Sequence, residues 1–524
     1  MFFRTIYFLH VLKFIFCDKI NGVNIGGWLV LEPWITPSLF YQFLGTSNKI
    51  GMDMYSFCDV LGPKEGNNQL REHWNTWINE TDIITLKNNN INLLRVPLGD
   101  WMYLPYGPFA REEDGIKCTD GSNEMLDKLF KISEKHDIKI LLDLHGVMGS
   151  QNGFDNSGKS MNVQINGNEF KHWEIRSAEW IGEFDQTTKQ YYIYDNYSIK
   201  HSIDVLEIII KKYAKYQSLY GVAVLNEPWE YTPEIFLKNF YQTVFNIFSE
   251  HMDNTKVYII HDSFRTWLWK DFELINPKNM TIYIDTHQYT AWNDRYYSFY
   301  TLIDSSSKWQ SPKAKYQYIV GEWSLAIDNC QMWLNGFMDN IPNYPLFYCS
   351  YQLCPRYNEQ KYKEYLLNAI NGPFGTGDSF PTNDLQCPIS ISLKDYFHVN
   401  DDESVMAKKL FNAKSTAFFR ESAGAIFWNF KTETGSYQWD FLSYINLING
   451  YAKESVNYKS TNEYDTGKNN YTFPLLIIFC ILFGFCCSCF LYIKMMRNYK
   501  RRYYYKVIEK TPILDNNNVH VINI

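Results

Sequence analysis

Seven short apolar runs, each closing on polar or charged residues, recur between residues 90 and 431. They are Asn90 to Pro97 (NINLLRVP), Ile138 to His145 (IKILLDLH), Leu219 to Glu227 (LYGVAVLNE), Lys256 to Asp262 (KVYIIHD), Thr281 to Tyr289 (TIYIDTHQY), Tyr316 to Glu322 (YQYIVGE) and Gly424 to Lys431 (GAIFWNFK). A strand with one wet face alternates, whereas continuous hydrophobicity requires cover on both faces, as in a parallel sheet flanked by helices. Helical patterns lie between the runs, for example Asn123 to His136 (NEMLDKLFKISEKH) and Ser202 to Tyr216 (SIDVLEIIIKKYAKY). With Val23 to Gly26 as a first strand there are eight repeats, and eight βα units close a barrel. The expected fold is therefore α/β, a (β/α)8 barrel over residues 18–450. Active sites of this fold sit at the C-terminal ends of the strands. Those ends carry Arg95, His145, Asn226 with Glu227, His287 with Tyr289, Glu322, and Trp428.

The ends of the chain place this barrel at a membrane. Phe473 to Ile493 is free of charge over 21 residues, enough at about 1.5 Å per residue to cross a hydrocarbon core of roughly 30 Å. The residues after it carry +5, which by the positive-inside rule makes 494–524 a cytoplasmic tail. Thr5 to Cys17, after Arg4, reads as a signal peptide over 1–17. Polar residues 451–472 suit a stalk, so the expectation is a single-pass type I protein with its barrel extracellular or lumenal. Sequons at Asn79, Asn196, Asn279 and Asn470 agree with that side. With both ends basic and the net charge −7, the middle carries −14, which argues against a nucleic-acid partner. Six cysteines lie outside the leader and the apolar segment, and an oxidising compartment favours disulfides among them, with the pairing open. No Cys/His spacing reads as a zinc site, so no metal or cofactor is expected.

The chemistry points to two carboxylates. Glu227 in VLNEP and Glu322 in IVGEW end strands four and seven, which face one another across a closed barrel. Retaining glycoside hydrolysis uses two carboxyls about 5 to 5.5 Å apart, one a nucleophile and one an acid/base, whereas inverting enzymes hold them farther apart. Asn226 is placed to bond a sugar 2-OH, and Arg95 and Tyr289 to orient and ionise Glu322. The long stretch Ser324 to Phe411 reads as an insertion near the mouth. Trp28, Trp34, Trp101, Trp173 and Trp180 read as packing residues.

At these motifs the chain resembles glycoside hydrolase family 5 of clan A, and within it the fungal-type exo-β-1,3-glucanases. The resemblance rests on VNIGGWLVLEPW (23–34), NLLRVPLG (92–99), LDLHGVMGSQNGFDNSG (142–158), LNEPW (225–229), THQY (286–289), VGEWS (320–324), DNCQMWLNG (328–336) and FWNFKTE (427–433), in family order. It implies Glu227 as general acid/base and Glu322 as nucleophile. Arg95, His145, Asn226, His287, Tyr289 and Trp428 are implied as pocket residues, with Glu32, Phe154, Asp155 and Trp292 as sugar contacts. Trp292 stands near a position where that branch has Phe, and Met148 where it has Pro. The implied activity is removal of terminal glucose from β-1,3-glucan. Alternatives are a β-glucosidase acting on glycolipid or small glucosides, and an inactive glucan-binding receptor. Intact Glu227 and Glu322 argue against the last. The oligomeric state is open.

Overall fold

A computed structural model of the chain describes residues 19–43, 51–161, 163–166, 169–172, 177–185, 187–293, 296–328, 331, 333–334 and 392–450. Eight parallel strands close into a barrel in sequence order: β1 Ile20–Asn24, β2 Leu93–Gly99, β3 Lys139–Gly146, β4 Leu219–Ala223, β5 Val257–His261, β6 Thr281–Gln288, β7 Gln317–Trp323 and β8 Gly424–Phe427, with β8 pairing back onto β1. The expected barrel is thus present. The first strand begins three residues earlier than Val23. β4 ends four residues before Glu227, because there the chain leaves the ladder.

Helices cover the outside of the barrel: α1 Met54–Trp77, α2 Glu80–Asn88, α3 Ser122–Lys135, α4 Asn196–Tyr213, α5 Glu234–His251, α6 Phe299–Ser307, α7 Glu403–Glu421 and α8 Phe441–Ile448. Their starts are written in the sequence. Asn79 and Asp82 form a reciprocal capping box at α2, and the carboxylates of Asp402 and Asp440 cap α7 and α8. α1 is broken at Gly62, whose φ of 76° leaves the helical region just before Pro63. The eightfold pattern fails at one point: between β5 and β6 only a 3₁₀ turn, Thr266–Trp269, replaces a helix.

The strand face that points into the barrel changes character with height. Near the bottom it presents Ile20, Leu93, Leu141 and Ile259 as a dry plug. Two residues higher, or four on β1, the same faces carry Asn24, Arg95, Asp143 and His261, all buried. The switch from apolar to charged along one face is what turns a packed core into a site. A disulfide, Cys58–Cys118, ties α1 to the segment before α3. Cys330, Cys349, Cys354 and Cys387, most of the 324–411 insertion, Trp173, the leader at 1–17, the stalk and 473–493 lie outside the described residues. Among the described residues no helix is long and apolar enough to cross a membrane. The sequon residues Asn79, Asn196 and Asn279 are exposed.

Candidate active site

Arg95 is the hub of the upper barrel. Its side chain is fully buried, and its guanidinium donates to Asn24 Oδ1, Glu322 Oε1 and Asn226 Oδ1, each at 2.8 Å. The carboxylate of Asp143 lies 3.1 Å away and that of Asp285 4.0 Å. A buried guanidinium is tolerable only with such partners, and its planar fork fixes the directions of all of them. Glu322 therefore has one oxygen on Arg95. The other accepts the Tyr289 hydroxyl at 2.7 Å.

His287 sits between the two acids. Its Nδ1 is 2.6 Å from Glu227 Oε1 and 3.3 Å from Glu322 Oε2. The sum of these two contacts is an upper bound on the separation of those two oxygens, so both acids face the same small space. Glu227 also receives Asn156 Nδ2 at 3.4 Å, from the Gly/Asn loop after β3. Glu227 has φ of 43°, a left-handed conformation that costs a non-glycine residue on the order of 1–3 kcal/mol and is found where surrounding structure enforces it.

The remaining expected residues fall into place around this centre. His145 is held by Asp143 at 2.6 Å through Nδ1, faces the Asn226 amide at 3.4 Å, and lies flat against the Trp428 ring at a centroid distance of 5.6 Å. Glu32 is buried, takes the Trp34 indole N–H at 2.9 Å on Oε2, and leaves Oε1 without a hydrogen-bond partner among the described residues. Trp34, expected as packing, thus orients a site carboxylate, whereas Trp28, Trp101 and Trp180 are buried packing residues. Trp292 is 45% exposed and meets Tyr289 edge-on at 5.4 Å. Phe154 and Asp155 precede Asn156 in the loop that reaches Glu227. Sequence reasoning missed Asn24, Asp143, Asn156, His261 and Asp285. Asp143 and Asp285 each stand two residues before a recognised histidine, so strand periodicity puts them on the same face.

Burial dominates the electrostatics. It raises Glu322 above the ordinary carboxylate range; His287 and Arg95 oppose that rise, and the neighbouring Glu227 adds to it. Burial also pushes Glu227 up, but there the His287 bond and the charges of His287, His145 and Arg95 win, and the group lies below its ordinary value. Ionising one acid of so close a pair raises the other. Burial works against the charge on His287, yet Glu322 and Asp285 keep it well above an ordinary imidazole. Burial and the charges of His287 and Arg95 drive its neighbour His261 well below. Burial and the charge of Asp155 raise Glu32. Glu227, His261 and His287 offer ligand atoms within 4.8 Å of one another. A tetrahedral zinc at ~2.0–2.1 Å from each ligand would force the hydrogen-bonded atoms of Glu227 and His287 apart.

Two acids sharing one imidazole at the C-terminal end of a parallel barrel, among hydrogen-bonding groups and indole rings, are the arrangement that glycoside hydrolysis uses. A family model described as Cellulase (glycosyl hydrolase family 5) matches residues 58–351. The chain belongs to glycosyl hydrolase family 5. It is 30% identical over 441 residues to Glucan 1,3-beta-glucosidase 2 of Wickerhamomyces anomalus, covering 82% of this chain and 88% of that protein. It is 34% identical over 330 residues to Glucan 1,3-beta-glucosidase of Pichia angusta, covering 61% and 67%. The solved structure of rutinosidase from Aspergillus niger shares the fold with a TM-score of 0.52 at 16% identity, covering 83% of this chain and 98% of that one.

Proposed function

We propose that the chain is a membrane-anchored, retaining exo-β-1,3-glucanase that removes terminal glucose from β-1,3-glucan. In this reading the Glu322 carboxylate attacks the anomeric carbon while Glu227 gives its proton to the departing glycosidic oxygen. Water then displaces Glu322 from the glucosyl ester and returns a proton to Glu227. The observation that carries the mechanism is that a single nitrogen of His287 contacts both acids, at 2.6 and 3.3 Å. It supports two carboxyls that converge on one site, as a nucleophile and an acid acting on one anomeric carbon require.

For the first step the proton must rest on Glu227 and the negative charge on Glu322. The β-1,3-glucan substrate is supported by the names of the relatives and by the unpaired Oε1 of Glu32, which a glucose hydroxyl would satisfy. Membrane attachment is supported by the uncharged residues 473–493 and the basic tail, and an oxidising compartment by Cys58–Cys118.

The test is laminarin hydrolysis followed by NMR from the first minutes. Glucose should appear at once as the β anomer. Early α-glucose would reject retention, and an early ladder of oligosaccharides without glucose would reject exo action. Glu322→Gln keeps the volume but cannot attack carbon, so turnover should fall by at least about 10³-fold with folding intact. Activity within tenfold of wild type would remove Glu322 from its role.

A further inference from the structure

We propose that Lys414 is a positioning residue for the Glu322–Tyr289 pair, acting by clamping together the segments that follow β6 and β7. This rests on the glycosidase reading above. Lys414 lies on α7, outside the barrel, and is 2% exposed. Its Nζ donates to Thr290 Oγ1 at 2.9 Å and to the Ser324 carbonyl at 2.8 Å. Thr290 follows Tyr289, and Ser324 comes two residues after Glu322. Thr290 donates its own hydroxyl proton to the Ala326 carbonyl at 2.5 Å, which closes the clamp on the β7 side.

The clamp sits where the strand ladder is irregular. The β6–β7 register shifts between Thr286 and His287, and the β7–β8 register shifts between Val320 and Trp323, so β7 is irregular on both sides of Glu322. Side chains add contacts across this irregularity. Asn24 Nδ2 donates to the Gly321 carbonyl at 3.0 Å and the Gly321 N–H donates to Asp285 Oδ1 at 2.7 Å, just before Glu322. Residue 321 is Gly for this reason: a Cβ there would lie 2.1 Å from Asp285 Oδ1. Just after Glu322 the corresponding tether is Lys414. No carboxylate pairs with this amine among the described residues, and burial pushes its pKa down to about 7. Burying an amine without a counter-charge is costly, and the two loop contacts are what its position provides.

The test compares the full-length chain with Lys414→Met, Lys414→Arg and Thr290→Val, on laminarin and on 4-nitrophenyl β-glucoside. Loosening the Tyr289–Glu322 geometry should lower kcat of Lys414→Met about 10- to 100-fold, with KM within about threefold, since a misplacement of an ångström costs up to that much. Lys414→Arg, which keeps long-reach donors, should recover part of the loss, and Thr290→Val should show a smaller fall of the same kind. Circular dichroism identifies folded samples. The proposal is overturned if folded Lys414→Met, or Thr290→Val should Lys414→Met not fold, has kcat within twofold of wild type, or if KM rises while kcat holds. A loss of activity matched by a loss of folded protein would reduce Lys414 to a structural role. If the wild-type chain turns over neither substrate, the glycosidase reading itself falls.

Discussion

Glu227 combines a strained backbone with a hydrogen bond to the imidazole that also reaches Glu322. Its φ of 43° aims the carboxyl at His287 and Asn156 instead of along the ladder. Glu227→Ala leaves Glu322, Arg95 and Tyr289 in place. Natural glucan, whose leaving group needs the proton, should then lose far more kcat/KM than an aryl glucoside with a good leaving group, by a ratio of about 10²-fold or more. Equal losses on the two substrates would show that Glu227 is not the acid. Most residues of this centre that could be read from the sequence stood at the tips of apolar runs, because a polar tip on a buried strand has no packing explanation; Arg95, expected at a strand end, lies inside β2 and stood out only as a charge in an apolar run. Asp143 and Asp285 lie inside their runs and look like interruptions until strand periodicity pairs them with His145 and His287. Lys414 carries no such mark: one lysine on a helix reads as solvent-facing, and its burial is decided by β6 and β7, distant in sequence.

At the scale of elements, the strands were legible because cover on both faces imposes unbroken hydrophobicity. What sequence left open belongs to contacts that patterns do not encode. Met54–Trp77 is hidden by Gly62–Pro63, which interrupts its periodicity, and the helix after β5 is replaced by a single turn, whose Trp269 is wholly buried. The pairing of Cys58 with Cys118 was one of many arithmetical possibilities. Gly66 shows how close the approach is, since a Cβ there would lie 2.6 Å from Cys118 Sγ. The bridge closes a loop of 60 residues, worth about 4 kcal/mol in the chain-entropy account. The Cys58→Ser, Cys118→Ser double variant should melt several degrees below wild type, and reduction should lower the wild type to match it. An unchanged melting temperature would mean that packing of α1 already restrains this segment.

For the whole molecule, the telling charges are the buried ones, and several carboxyls are displaced in one direction. Burial lifts Asp100 to about 8, against hydrogen bonds from Met148, Tyr106 and Trp101, and lifts Glu433 to about 7 and Asp262 and Asp440 to about 6. A carboxyl raised on folding stabilises the fold fully below its unfolded value, near 3.8 for Asp, and that contribution is lost as pH rises through the folded value. The barrel should therefore lose stability from these groups between about pH 4 and 8. Histidines such as His261, lowered by burial, act the other way below about 6.5, so the carboxyl effect is best isolated at one position. Asp100 is suitable: it is wholly buried, its Oδ2 takes the Met148 N–H at 2.6 Å, and it lies outside the acid pair. Asp100→Asn keeps the shape and the acceptor but cannot ionise. Near pH 4 the two proteins should melt within a degree or two of each other. By pH 9, where the native acid must carry its charge, the variant should be the more stable by several kcal/mol, since each tenfold change in proton affinity on folding is worth roughly 1.4 kcal/mol. Thermal melts at half-unit steps from pH 4 to 9 read that divergence directly, and parallel curves would mean that Asp100 is ionised throughout and its buried charge is met by the donors around it.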